Sequence, residues 1–151
     1  MISKYHNDLY RLIRDFLTVY LPKQKAASPN TVKAYKNALN LLIDYTKETQ
    51  NIRIAEISFP IINRVHIESF LDWLEVARNC SVSSRNHRLS CLRSFYKYAA
   101  GRDVTLVAYY QELEKIPLKK KAKIPELKFF NESALKTILA QPDWGFETFF
   151  T

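Results

Sequence analysis

Residues 81–100, SVSSRNHRLSCLRSFYKYAA, decide the architecture. Leu89, Leu92, Phe95, Tyr96 and Ala99 recur at the three- and four-residue spacing that gathers side chains on one face of a helix. Asn86, Ser90, Arg93 and Lys97 form a polar stripe with no acid in it, and His87 and Ser94 sit at its margin. Ser81 to Ser84 offer hydroxyl oxygens for the unpaired N–H groups of a first turn. The pattern predicts a helix over about 84–100, stopped by Gly101, with one face in a core and a basic face outward.

The same periodicity extends in both directions. Upstream, Leu9, Leu12, Ile13, Phe16, Leu17 and Tyr20 share one face of a predicted helix that Pro22 and the polar run after it should end. Ser28-Pro29 is a start signal, a capping hydroxyl followed by a residue whose missing N–H loses nothing in the first turn. From there Val32, Tyr35, Leu39, Leu42 and Ile43 predict a long helix to about Thr46, with Lys33, Lys36, Asn37, Asn40 and Asp44 opposite. Pro60 interrupts the next stretch, which reads as a linker with extended apolar anchors. A helix over about 66–78 follows, with Ile67, Phe70, Leu71 and Leu74 inward and Glu68, Asp72 and Glu75 as an acidic stripe that a polyanion should avoid. A last short helix, about 104–115, carries Val104, Leu106, Val107, Tyr110 and Leu113.

The composition then changes. Lys115, Lys119, Lys120, Lys121 and Lys123 cluster between and beside Pro117 and Pro125, which reads as an extended linker. Asn131 caps a further short helix at 132–140, where Leu135, Ile138 and Leu139 have no partner element in the rest of the chain. The expected organisation is a bundle over 1–114, a basic linker over 115–128, and at 129–151 the start of another domain. The expected fold class is all-α, a compact orthogonal bundle of four or five helices.

Composition narrows the function. The chain has two glycines in 151 residues, too few for a phosphate-cradling glycine loop or a turn-rich β fold. Nine Phe, nine Tyr and two Trp within a 47% hydrophobic composition can fill a core. The net charge of +8 is uneven, with the positive excess in residues 1–27, 81–103 and 104–123. Such a surface attracts polyanions, and duplex DNA offers about one negative charge per 1.7 Å. Cys80 and Cys91 lack metal-ligand spacing and read as small residues in or near a core. No metal or other cofactor is expected. No apolar run is long enough to span a membrane and no signal peptide is evident, so a reduced cytoplasm is the expected compartment.

Three segments, in this order, resemble the core-binding domain of tyrosine recombinases of the phage-integrase type. SPNTVKAYKNALNLLIDYTKE, from Ser28, is similar to that family's opening helix, with its Ser-x-x-Thr-x-x-x-Tyr start. Residues 86–98 carry the more specific pattern N-x-R-L-S-x-L-R-S-F-Y-K-Y, which fixes polar and apolar identities together. IPLKKKAKIPELKFFNESALKTIL, from Ile116, is similar to the interdomain linker and the helix that opens the catalytic domain.

The resemblance implies an N-terminal domain that grips duplex DNA alongside other recombinase protomers, with two helices crossing a major groove. DNA cleavage in that family uses a tyrosine nucleophile amid arginines and histidines that stabilise the phosphate. Those residues belong to the C-terminal domain. Here His6, His66 and His87 are followed three residues later by Leu9, Ser69 and Ser90, so no His-x-x-Arg occurs. Tyr20, Tyr35, Tyr96 and Tyr110 sit on apolar stripes and read as core residues. No catalytic residue is assigned, and the chain by itself is not expected to be an enzyme or to take a small-molecule substrate.

The residues expected to meet DNA are Asn86, His87, Ser90, Arg93 and Lys97 on one helix and Thr31, Lys33, Lys36 and Asn40 on another. Lys119, Lys120 and Lys121 of the linker join them. The rival reading is a helical protein–protein interaction module whose basic face only keeps it soluble.

Overall fold

The computed structural model describes the backbone of residues 2–120 and the side chains from Asp8 onward. The order is α1 (Ile2–Asp15), continued without a break by a π-helical segment (Phe16–Gln24), then α2 (Pro29–Gln50), α3 (Arg64–Val76), α4 (Val82–Arg102) and α5 (Val107–Glu114). Short 3-10 turns occupy Ile54–Glu56 and Val104–Leu106. No strand occurs among the described residues, and the fold is an all-α bundle.

At the starts of α2 and α4 the capping chemistry is where the sequence places it. The Ser28 hydroxyl accepts the Thr31 N–H at 3.2 Å with Pro29 opening α2. Asn63 and Ser81 cap α3 and α4 in the same way. Each satisfies one N–H that the helix itself leaves unpaired.

Two expected breaks are corrected. Pro22 does not end the first helix. In α geometry its ring would collide with the carbonyl four residues back, and the chain answers by widening, with the Lys25 N–H reaching the Tyr20 carbonyl five residues back at 2.9 Å. Gly101 does not stop α4, which runs on to Arg102 and ends when Asp103 turns extended. α2 is also longer than its apolar stripe and closes on Asn51 in the left-handed conformation.

α4 is central, packed against α2, α3 and α5. It therefore buries three sides: Leu89, Leu92, Phe95, Tyr96 and Ala99, but also Cys91, Tyr98, Arg85 and Asn86. Phe16 is fully buried at the middle of an aromatic cluster with Tyr20, Tyr35, Phe95 and Tyr98, at ring distances of 5.3–5.7 Å. The anchors expected around Pro60 are Ile57, Phe59 and Ile62, all buried, and the Tyr96 hydroxyl donates to the Ile62 carbonyl.

The core extends past Glu114, because Ile116 is buried, and the compact unit runs from the N-terminus to Leu118. The expected linker beyond Lys120 and the expected helix at 132–140 lie outside the described residues.

Candidate nucleic-acid interface

With α4 buried on three sides, little of it meets solvent. The exposed positions are Ser83, His87, Ser90, Lys97, Gly101 and Arg102, with Ser94 half-buried beside them. At about 100° per residue, Ser83, Ser90, Lys97 and Gly101 lie within roughly 20° of one line. His87 and Ser94 fall on one side of that line, towards α2. Asn86 and Arg93 fall on the other, towards α5.

That rotation corrects the expected placement of two site residues. Asn86 is not on the outer face; it is buried, and its Oδ1 accepts from the Arg85 guanidinium at 2.9 Å. Arg93 is half-buried, and its guanidinium donates to the backbone carbonyls of Leu113 at 3.4 Å, Glu114 at 3.5 Å, and Ile116. The Leu113 carbonyl also accepts the Ile116 N–H at 3.1 Å, and Arg93 adds a side-chain donor to the carbonyls at and just past the end of α5, capping the helix from α4. Arg85, two turns earlier, donates to the Pro117 carbonyl at 2.9 Å. α4 thus fastens the segment that leaves the bundle with two arginines.

The acidic stripe is also partly engaged in ion pairs, one interior and one at the surface. Glu75 sits 3.6 Å from the buried Arg85 guanidinium, and Glu68 lies 3.7 Å from Arg64. Burial holds the Arg85 pKa below its ordinary value, against the carboxylates of Glu75 and Asp72, which raise it. Asp72 alone of the three is exposed.

The remaining expected residues are on the surface. His87, Ser90 and Lys97 are exposed on α4, and Thr31, Lys33, Lys36 and Asn40 on α2. Lys33, Lys36 and Asn40 share the outer face of α2. Thr31 lies on another side of the helix, its hydroxyl within 2.9 Å of Ser28 at the cap. Lys119 and Lys120 are exposed beyond the compact unit, and Lys121 lies outside the described residues.

α2 and α4 meet along a seam with an opening near each end. One, about 440 Å³, is bordered by Ala34, Asn37, Ser83, His87 and Arg88. The other, about 450 Å³, lies where the π-helical segment approaches α2 and α4 and is rimmed by Lys25, Lys97 and Arg102. On the wall of the second opening the Tyr35 hydroxyl reaches Ser94 at 3.3 Å and ties the helices together. The seam carries His87, Arg88, Lys97 and Arg102 and no carboxylate on either opening.

Asn37, Lys25, Arg88 and Arg102 were not among the expected site residues. Asn37 belongs to the recognised polar stripe of α2. Lys25 and Arg102 lie beyond the points where Pro22 and Gly101 signalled helix ends, so no periodic pattern could place them.

Two tyrosines are held in the phenol form. Burial pushes Tyr10 up to about 12 and Tyr96 well above its ordinary value, and the Tyr10 hydroxyl donates to the Ile54 carbonyl at 2.6 Å. Burial likewise pushes the Cys91 thiol up to about 11. No cluster of His, Cys, Asp or Glu among the described residues could hold a metal ion. No helix among them is long and apolar enough to cross a membrane.

A small helical bundle presenting an acid-free seam is a common kind of scaffold, and comparison with known proteins narrows it. Residues 13–103 match the family described as phage integrase, N-terminal SAM-like domain. In Sinorhizobium fredii, y4rC, named as an integrase/recombinase, is 30% identical over 138 residues, 91% of this chain and 41% of that protein. Its neighbour in name, y4rD, is 32% identical over 115 residues, 76% of this chain and 41% of that protein. The tyrosine recombinase XerC of Oceanobacillus iheyensis is 31% identical over 84 residues, 56% of this chain and 26% of that protein. The chain belongs to the phage integrase N-terminal SAM-like domain family, among the integrases and tyrosine recombinases. It spans less than half the length of these curated relatives. No solved structure matches it.

Proposed function

We propose that this chain binds duplex DNA as the N-terminal domain of a site-specific tyrosine recombinase, and that strand cleavage is left to residues it does not contain. The observation that carries this reading is the acid-free α2–α4 seam, where exposed His87, Lys97 and Arg102 stand beside small polar residues, with Lys33 and Lys36 exposed on the outer face of α2. Serines at Ser83, Ser90 and Ser94 let a phosphate backbone approach α4 closely, and the cations at either side pair with it. Few of these contacts carry base identity, so binding is tolerant of sequence, and a second domain and neighbouring recombinase protomers supply the rest of the grip. The absence of His-x-x-Arg in the sequence supports a binding role without catalysis.

Titration of the chain with labelled duplex DNA at two salt concentrations tests this. Binding that weakens steeply with salt, at about micromolar affinity or weaker under low salt, is expected. Absence of binding at the lowest salt overturns the reading and favours a protein–protein interaction module with a solubilising surface.

A further inference from the structure

The opening at the end of the seam has features that general charge attraction does not require. Its floor is aromatic, made by Phe16, Tyr20 and Tyr98, and its rim brings together cations from distant parts of the sequence: Lys25, Lys97 and Arg102. Among the described residues no ion pair engages Lys25 or Lys97. The guanidinium of Arg102 lies flat enough over Tyr98 to place its carbon 5.1 Å from the ring centroid. The nearest carboxylate in sequence, Asp103, is turned to its own cap, accepting from the Thr105 N–H at 3.0 Å and the Thr105 hydroxyl at 2.7 Å.

Gly101 supplies a second, independent observation. It is helical, not left-handed, so its conformational freedom is not used, and a Cβ built on it meets nothing within 4 Å. Glycine in a helix costs about 0.5–1 kcal/mol relative to alanine, somewhat less in a last turn. What the missing side chain provides is room on the cavity wall between the cations, where a bulky anion can come close.

Resting on the DNA-binding reading above, we propose that this cavity is a phosphate site, in which Lys25, Lys97 and Arg102 hold one backbone phosphate of the bound duplex against Gly101. The π-helical turn is what makes the site possible. By running through Pro22 it carries Lys25 to the C-terminal end of α4, where an α-helix ended at Leu21 would not. Lys97 belongs to both the seam and the cavity, so a strand lying along α4 reaches the site without leaving the surface.

The test uses the whole chain with a fluorescein-labelled duplex of several helical turns, titrated from low salt upward. Lys25→Gln and Arg102→Gln should each make the log-affinity against log-salt slope shallower by about 0.9, and the pair by roughly two. Gly101→Leu leaves the charge unchanged but fills the cavity wall, and should weaken binding several-fold while melting temperature is retained. A double Lys25→Gln/Arg102→Gln variant with the wild-type slope, in a wild-type protein that does bind, overturns the site and leaves the proposed function standing. Failure of the wild-type chain to bind overturns both. Calorimetric titration with inorganic phosphate and with deoxyadenosine monophosphate distinguishes the source. A backbone site should give no saturation with either at millimolar levels, whereas saturable nucleotide binding lost in Gly101→Leu overturns the duplex assignment in favour of a small phosphorylated ligand.

Discussion

Replacing Arg93 with alanine removes the donor that closes the end of α5. From the sequence, Arg93 stands on a solvent-facing stripe, and an exposed Arg-to-Ala change shifts stability by only about half a kcal/mol. In the structure its guanidinium instead serves the carbonyls of Leu113, Glu114 and Ile116, of which the Ile116 contact is the shortest and the other two are long. Glu114 is exposed, so water can replace the arginine there, and the Leu113 carbonyl keeps the Ile116 N–H, which leaves the carbonyl of buried Ile116 as the one that loses most. A hydrogen bond from a charged group contributes about 1.5–3 kcal/mol, and losing the one that nothing readily replaces gives a loss of about 2 kcal/mol. For a domain of this size each kcal/mol moves the melting temperature by roughly 4 °C, so a fall of about 8 °C is expected. Thermal unfolding followed by circular dichroism measures it, and trypsin should cut sooner after Lys115 in the variant. A melting temperature within about 2 °C of wild type would refute the capping role and return Arg93 to the free basic face.

Other expectations are more local. Burial holds the His66 pKa below its ordinary value, and its Nε2 lies 2.8 Å from the Thr46 hydroxyl, which itself reaches the Leu42 carbonyl at 2.7 Å. The unfolded chain then binds a proton first as pH falls, so stability is full above about pH 6.5 and declines below it; urea unfolding at pH 7.5 and 5.5 should show that loss, and His66→Gln should reduce it. Ser28→Ala removes the α2 cap and should cost about 1 kcal/mol in the same assay, with an unchanged midpoint counting against the cap. Incubation with supercoiled plasmid should yield neither nicked nor covalently attached DNA, and a tyrosine-linked adduct would contradict the division of labour proposed above.

How much of this was legible depends on what each signal encodes. Apolar periodicity placed α2, α3, α4 and α5, and hydroxyl or amide caps marked the starts of α2 and α4, because both are set by residues within a turn or two of each other. Breakers were less reliable. Pro22 and Gly101 are local obstacles whose outcome depends on tertiary packing, and the burial of Phe16 and Leu21 keeps the chain helical past Pro22. Periodicity also treats a helix as having one buried face. That holds for α2, which lies at the surface, and fails for α4, which three helices surround. The error at Asn86 and Arg93 follows directly: both lie only about 40–60° from the exposed line, but on the side that α5 covers.

The basic residues of α4 illustrate why charge alone could not define the site. Arg85, Arg93, Lys97 and Arg102 contribute equally to a net charge, yet two of them are turned inward on carbonyls of the departing chain. An arginine has five donors in a rigid fork, which suits phosphate oxygens and a row of helix-terminal carbonyls equally well. Which partner it takes is decided by where the following helix lies, a long-range fact absent from the spacing of residues within α4. The cations left for a polyanion are those on the α2 side of that helix and at its end. Because Arg85 and Arg93 hold the segment from Leu113 to Pro117 against the same helix that carries Lys97, the proposed grip on a duplex would be linked through α4 to the way the chain leaves the bundle. Loosening Arg93 should therefore disturb the exit of the linker before it changes the salt dependence of binding, and a comparison of those two readouts separates capping from phosphate contact at this one residue.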